Sequence, residues 1–201
     1  SWSYFNFSPT IEFYCNQGGF GIDGNMSSMI GASLVNPQRI FFAAVGDLSF
    51  FYDMNSLGNR HIGPNVRILL VNNALGAEFH LFKQRNSTHV NNIEKYLSAG
   101  GHFGQKSPDL VRHYATDLGF EYLSASSKEE FEKVYERFVT PEITNKPMVL
   151  EVFTRVEDEN QALYSLWHIQ KDKSLKTLVK KGVKDVIGEE MTQKVKKIIK
   201  K

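Results

Sequence analysis

Two short stretches carry side chains able to hold a cation and a phosphate together. Gly46-Asp47-Leu48 stands directly after the apolar run RIFFAAV, and Asn72-Asn73 stands directly after NVRILLV, with 23 residues between the two motifs. A carboxylate and an amide oxygen are hard ligands. With one backbone carbonyl they suit Mg²⁺, which takes few protein ligands and completes its octahedron with phosphate oxygens. If the two apolar runs are neighbouring parallel strands, their carboxyl ends bring Asp47 and the Asn pair to one edge, where α/β sheets bind ligands. A helix opening near Ser49 would direct its free N–H groups at a diphosphate.

A second motif points elsewhere. From Gly19 to Gly24 the chain reads G-F-G-I-D-G, preceded by the apolar run TIEFYC. This fits the dinucleotide fingerprint G-x-G-x-x-G, with Asp47 downstream to bind a ribose hydroxyl of NAD. An NAD site needs neither a metal nor the Asn pair, so the glycines serve either a dinucleotide or another cofactor.

Other chemistries find less support. The six histidines show no H-x-x-x-H or H-E-x-x-H spacing for zinc, and no G-x-S-x-G elbow occurs. Ser27 and Ser28 read as packing a helix on a sheet, Phe50, Phe51 and Tyr52 as core, and Asp53 and Asn55 as an exposed helix face. Cys15, the one cysteine, excludes an internal disulfide and reads as a buried thiol in a reducing, cytoplasmic setting.

The elements that must position these residues alternate along the chain. TIEFYC, RIFFAAV, NVRILLV, FEYLS and PMVLEVFT read as strands, and their continuous apolar character fits burial on both faces of a parallel sheet. Helices are expected over Asn25–Leu34, Ser49–Leu57, Ser107–Leu118, opened by Ser107-Pro108-Asp109, and from a Ser127/Glu130 capping box to Phe138. Residues 73–107 lose periodicity and read as a long binding loop. The class is α/β, a mainly parallel sheet flanked by helices.

With 201 residues the chain can bury one good core, and no apolar stretch reaches the length of a membrane span. Residues 168–201 hold 11 Lys against 4 acids, +7 of the net +2, which leaves the first 167 residues at +2 − 7 = −5. That tail carries apolar residues at helical spacing but no arginine and no interleaved aromatics. It therefore reads as amphipathic helices over 166–201, docked on a domain spanning 1–165, and not as a nucleic-acid surface.

The G-D followed by N-N spacing resembles the thiamine diphosphate motif. GIDGNMSSMIGAS, GDLSFFYDMNSL and VNNALGAEF together resemble the 2-succinyl-5-enolpyruvyl-6-hydroxy-3-cyclohexene-1-carboxylate synthases of menaquinone biosynthesis. The resemblance covers residues 16–83 well and continues to about 155 in strand order. It implies Asp47 and Asn73 as side-chain ligands of Mg²⁺ and Leu75 as a carbonyl ligand. Gly46, Leu48, Ser49 and Gly76 would line the diphosphate, Ile22 would wedge under the bent cofactor, and Gly21 and Asp23 would lie beside the aminopyrimidine. Leu48 replaces the glycine of most thiamine enzymes, as in these synthases. Glu78 departs from their glycine-rich stretch and brings a charge to the substrate side.

The resemblance also implies that this is the C-terminal part of a longer chain and contains no catalytic residue. The proton-relaying glutamate would belong to a pyrimidine-binding domain of the same or a partner chain. Glu12, expected within a strand, is no candidate for it. The implied reaction is decarboxylation of a 2-oxo acid followed by carboligation, in a homodimer or homotetramer, with His80, Lys83, Arg85 and His89 near an acidic substrate. A related 2-oxo acid decarboxylase or synthase of another pathway, such as one making surface polysaccharide, is the nearest alternative.

Overall fold

The computed structural model describes residues 8–15, 21–81, 93–101 and 106–172. Residues Ile11–Val156 form one compact unit, and Glu157–Lys201 with Ser1–Thr10 form a second. Of the second unit, the described part is chiefly a helix, α7 (Val156–Asp172), which starts at the boundary and carries Glu157, Asp158 and Glu159 in its first turn. The Lys-rich stretch after it lies outside the described residues.

The first unit is built on four parallel strands. β1 (Phe41–Gly46), β2 (Val66–Asn72), β3 (Glu121–Ala125) and β4 (Met148–Phe153) lie in the order β1-β2-β4-β3. Phe41 pairs with Val66 and Gly46 with Val71, so β1 and β2 end together. Pairing of Arg67 with Met148 and of Asn72 with Phe153 brings β4 to the same edge. The expected adjacency of RIFFAAV and NVRILLV is therefore present.

Alternation along the strands divides the core in two. Ala43, Val45, Val66, Ile68, Leu70 and Val149 meet Met26 and Ile30 of α1 (Asn25–Val35), Phe50 of α2 (Asp47–Asp53), and Val111 and Ala115 of α5 (Leu110–Asp117). On the other face Met148 and Leu150 pack with Phe138 of α6 (Lys128–Phe138), beside Leu69, Leu123 and Val134. Strands buried on both faces need apolar side chains on both, which is why β2 and β4 read as nearly continuous apolar runs, each with one charged residue.

One residue of β2 breaks that run. Arg67 is fully buried, and its guanidinium donates to the carbonyls of Phe138, Thr140 and Glu142 at 2.6 Å each. These carbonyls lie at and beyond the C-terminus of α6, where a cation complements the helix dipole. Burial lowers its pKa first and Arg137 adds to that, while Glu121 opposes both.

Several expectations require correction. TIEFYC forms no strand: residues 11–15 are irregular and exposed, with Phe13 54% and Tyr14 89% accessible, and they pair with neither edge of the sheet. Cys15 is accordingly exposed, not buried. Glu12 lies in this irregular segment and pairs with Arg39 at 3.2 Å. The sheet thus has four described strands where five were expected.

α2 opens at Asp47, two residues before the expected start at Ser49, and passes into a 3₁₀ turn over Met54–Gly58. Tyr52 is exposed because it points away from the face that buries Phe50. Two single-turn helices, α3 (Glu78–Leu81) and α4 (Ile93–Tyr96), interrupt the expected loop. α5 starts at Leu110, after a turn in which the Ser107 hydroxyl accepts the Asp109 N–H at 3.3 Å. The capping box of α6 is formed: Ser127 Oγ accepts the Glu130 N–H at 3.2 Å, and Glu130 returns to accept the Ser126 N–H at 2.7 Å.

Candidate active site at the carboxyl edge of the sheet

Asp47 is the first residue of α2 and is 2% exposed. It stands directly beyond β1, while Asn73 stands directly beyond β2. Register between those strands brings the two motifs to one edge, and the free N–H groups of the first turn of α2 open there.

The backbone after β2 turns sharply. Ala74 has φ 68°, a left-handed conformation that costs a non-glycine residue about 1–2 kcal/mol. Two side chains hold it: Asn72 Oδ1 accepts the Ala74 N–H and Asn73 Oδ1 accepts the Leu75 N–H, both at 3.2 Å. Gly76 then donates its N–H to the Ser98 carbonyl at 2.6 Å. A Cβ at Gly76 would stand 3.4 Å from Leu48, Phe79 and that carbonyl, so glycine fits a closely packed point here.

Gly46 differs. Its φ of −79° and ψ of 165° are open to any residue, and a Cβ there would meet no atom within 4 Å. The fold does not require glycine at this position.

The GIDG segment is clamped to α2. Ser49 Oγ donates to the Ile22 carbonyl at 2.6 Å and accepts from Asn25 Nδ2 at 3.0 Å, and the same amide reaches the Ile22 carbonyl. The Ser49 hydroxyl is thus committed to holding Ile22, whose own side chain is 43% exposed. A Cβ on Gly21 would collide with the Asp23 carboxylate. Gly24 opens α1 at φ 76° without a side-chain cap, and Asp53 supplies one from α2 by accepting the Ser27 N–H at 2.7 Å and hydroxyl at 3.0 Å. Asp53, expected on an exposed face, is therefore buried and structural.

Behind the Asn pair lies a buried carboxylate. Glu151 of β4 is 1% exposed and accepts from Asn72 Nδ2 at 2.7 Å and from the Tyr122 hydroxyl at 2.6 Å. Burial pushes its carboxyl above the usual range; the two hydrogen bonds oppose this, and the charges of Asp47 and Asp109 add to it. Burial, with the hydrogen bond to Glu151, likewise holds the Tyr122 phenol well above its ordinary value. Among the described residues no group of three His, Cys, Asp or Glu side chains gathers as a metal site. A hard-oxygen set of one carboxylate, one amide and one carbonyl does not need such a group.

His80 is buried, with Nε2 3.5 Å from Ser98 Oγ. Lys83, Arg85 and His89 lie outside the described residues, as do Gly18 and Gly19. Glu78 is exposed in the first turn of α3. Asn25, Tyr122 and Glu151 were not foreseen near the site, and Asp53 was weighed as a supporting group but read as an exposed helix face. The available signal was a lone Glu inside the apolar run PMVLEVFT, where an unpaired charge is not tolerated.

A family model described as "Thiamine pyrophosphate enzyme, C-terminal TPP binding domain" matches residues 1–152. The chain belongs to this family. Among curated proteins it is 37% identical over 174 residues to the 2-succinyl-5-enolpyruvyl-6-hydroxy-3-cyclohexene-1-carboxylate synthase of Phocaeicola vulgatus, covering 85% of this chain and 29% of that protein. The synthase of the same name from Bacteroides thetaiotaomicron is 34% identical over 164 residues, covering 82% and 28%. The chain thus spans under a third of the length of these relatives. A solved structure, the Rhodococcus jostii RHA1 thiamine diphosphate-dependent 4-hydroxybenzoylformate decarboxylase, matches with a TM-score of 0.49 and 22% identity over 65% of this chain and 23% of that one.

Membership in the thiamine pyrophosphate family settles the cofactor class in favour of thiamine diphosphate, and the NAD reading of G-F-G-I-D-G is set aside. No helix among the described residues is long and apolar enough to cross a membrane.

Proposed function

We propose that this chain is the diphosphate- and Mg²⁺-binding part of a thiamine diphosphate-dependent 2-oxo acid decarboxylase and carboligase, acting as a 2-succinyl-5-enolpyruvyl-6-hydroxy-3-cyclohexene-1-carboxylate synthase. The observation that carries this is the pairing at one sheet edge of buried Asp47 with the Asn72–Leu75 turn. Asp47 and Asn73 offer side-chain oxygens and Leu75 a carbonyl to Mg²⁺. Turning Asn73 Oδ1 to a metal would exchange its present bond to the Leu75 N–H.

Gly46, Leu48, Ser49 and Gly76 border the diphosphate with backbone groups, the N–H groups of α2 among them. Ile22, held by Ser49 and Asn25, props the cofactor, with Gly21 and Asp23 beside its aminopyrimidine ring. When bound, the cofactor supplies the electron sink for decarboxylation. The chain's own residues neutralise the diphosphate, fix its orientation and exclude water around a buried carboxylate. The glutamate that moves protons on the aminopyrimidine belongs in this reading to a pyrimidine-binding domain of the same or a partner chain, within a cytoplasmic homodimer or homotetramer.

The test is release of carbon dioxide from a panel of 2-oxo acids by the protein at its natural full length. The expected release requires both Mg²⁺ and thiamine diphosphate and is lost in Asp47→Ala. Release that ignores Mg²⁺, or survives in Asp47→Ala, contradicts the proposal.

A further inference from the structure

Asn72 stands beside the proposed ligand Asn73 without a role of its own in the metal site, and its side chain is spent on both sides. Its Nδ2 donates to Glu151 and its Oδ1 accepts the Ala74 N–H. Both Glu151 oxygens act as acceptors, one for the Asn72 amide and one for the Tyr122 hydroxyl, so the amide faces Glu151 with its NH₂. That leaves the amide oxygen aimed at the turn. Reversing the amide would oppose two oxygens in a buried place and present an NH₂ group to the Ala74 N–H.

Glu151 is in turn fixed by Tyr122 of β3, and register sets Glu151 opposite Leu70 on β2 and Ser124 on β3. A chain of hydrogen bonds therefore crosses three strands and ends on the left-handed Ala74. We propose that Glu151 is a positioning residue: through the Asn72 amide it holds the Asn72–Leu75 turn in the shape that presents Asn73 and Leu75 to the metal. It touches neither metal nor cofactor. This inference rests on the metal-site reading above.

The test compares Glu151→Leu, Glu151→Gln and a core control, Val149→Ala, in the protein at its natural full length. Two quantities are read: amide exchange at Ala74 and Leu75 without ligand, and the Mg²⁺ concentration for half-saturated binding of thiamine diphosphate. Glu151→Leu should speed exchange about tenfold or more and raise the Mg²⁺ half-saturation by about 10-fold, the lower end for groups that orient metal ligands. Glu151→Gln can still accept from Asn72 through its amide oxygen and turn its NH₂ to Tyr122, so both quantities should stay within about threefold of wild type. Val149→Ala should lower the melting temperature and move neither quantity.

If Glu151→Leu does not fold, Tyr122→Phe takes its place, with a smaller rise of about threefold in both. Unchanged exchange and half-saturation in the Leu or Phe variant overturn the proposal, as does an equal response in Val149→Ala. A wild-type protein that binds thiamine diphosphate without regard to Mg²⁺ overturns the site reading instead, whatever the exchange data show.

Discussion

Gly46→Ala separates what the fold needs from what the ligand needs. The backbone there is extended, and a methyl group would meet no protein atom within 4 Å. Without strain or clash, the substitution acts mainly on the unfolded chain, whose entropy it reduces. The ligand-free protein should gain about 0.4–1 kcal/mol. At roughly 2–4 °C per kcal/mol for a domain of this size, the melting temperature should rise by about 1–4 °C. The same methyl fills the mouth of the β1–α2 turn, so the diphosphate loses its approach. Wild type with Mg²⁺ and thiamine diphosphate at about a hundred times the dissociation constant should gain about 2.7 kcal/mol, and the variant little or none. Thermal unfolding with and without ligand reads both signs at once. A variant that melts several degrees lower without ligand would refute the open-space reasoning. One that keeps the full ligand-induced rise would refute the assignment of that space to the diphosphate.

Three further outcomes follow from the same geometry. Ser49→Ala releases Ile22 and Asn25 but leaves the backbone of α2 in place, so calorimetry should show thiamine diphosphate bound about 10-fold more weakly and Mg²⁺-pyrophosphate within about threefold of wild type. Arg67→Met strands the carbonyls of Phe138, Thr140 and Glu142 and should cost about 3 kcal/mol in urea unfolding; a loss below about 1 kcal/mol would mean those carbonyls find other partners. Glu121 is held below its usual value chiefly by its hydrogen bond from Arg137, so its contribution is present above the unfolded pKa of about 4.3 and is lost as pH falls through the depressed folded value. Arg137→Gln should therefore flatten that acid limb in melting-temperature measurements across pH, while costing less than about 1 kcal/mol at neutral pH because the pair is partly exposed.

The parallel sheet was legible because each strand is an apolar run bounded by turn residues; only β2 and β4 are buried on both faces, while β1 exposes Phe42 and Ala44 on one of them. Periodicity and capping gave α1 and α6 close to their observed ends. TIEFYC misled because apolar character alone does not make a strand; a strand also needs a neighbour to satisfy its backbone, and residues 11–15 have none in the sheet. Asp47 and Asn73 could be placed together from the ends of two apolar runs. Asp53 could not, since its carboxylate caps a helix 26 residues earlier in the chain. Arg67 and Glu151 were visible as charges inside apolar strands, but only the packing shows which groups satisfy them.

Asp47 and the Asn73 turn are proposed to form one metal-diphosphate site. Its most direct test is a thermal shift of this chain with Mg²⁺ plus thiamine diphosphate, Mg²⁺ plus pyrophosphate, and NADH, repeated on Asp47→Ala. A rise with both diphosphates that requires Mg²⁺ and disappears in Asp47→Ala is expected. A rise with NADH alone, independent of Mg²⁺, or a diphosphate response that survives in Asp47→Ala, would contradict it.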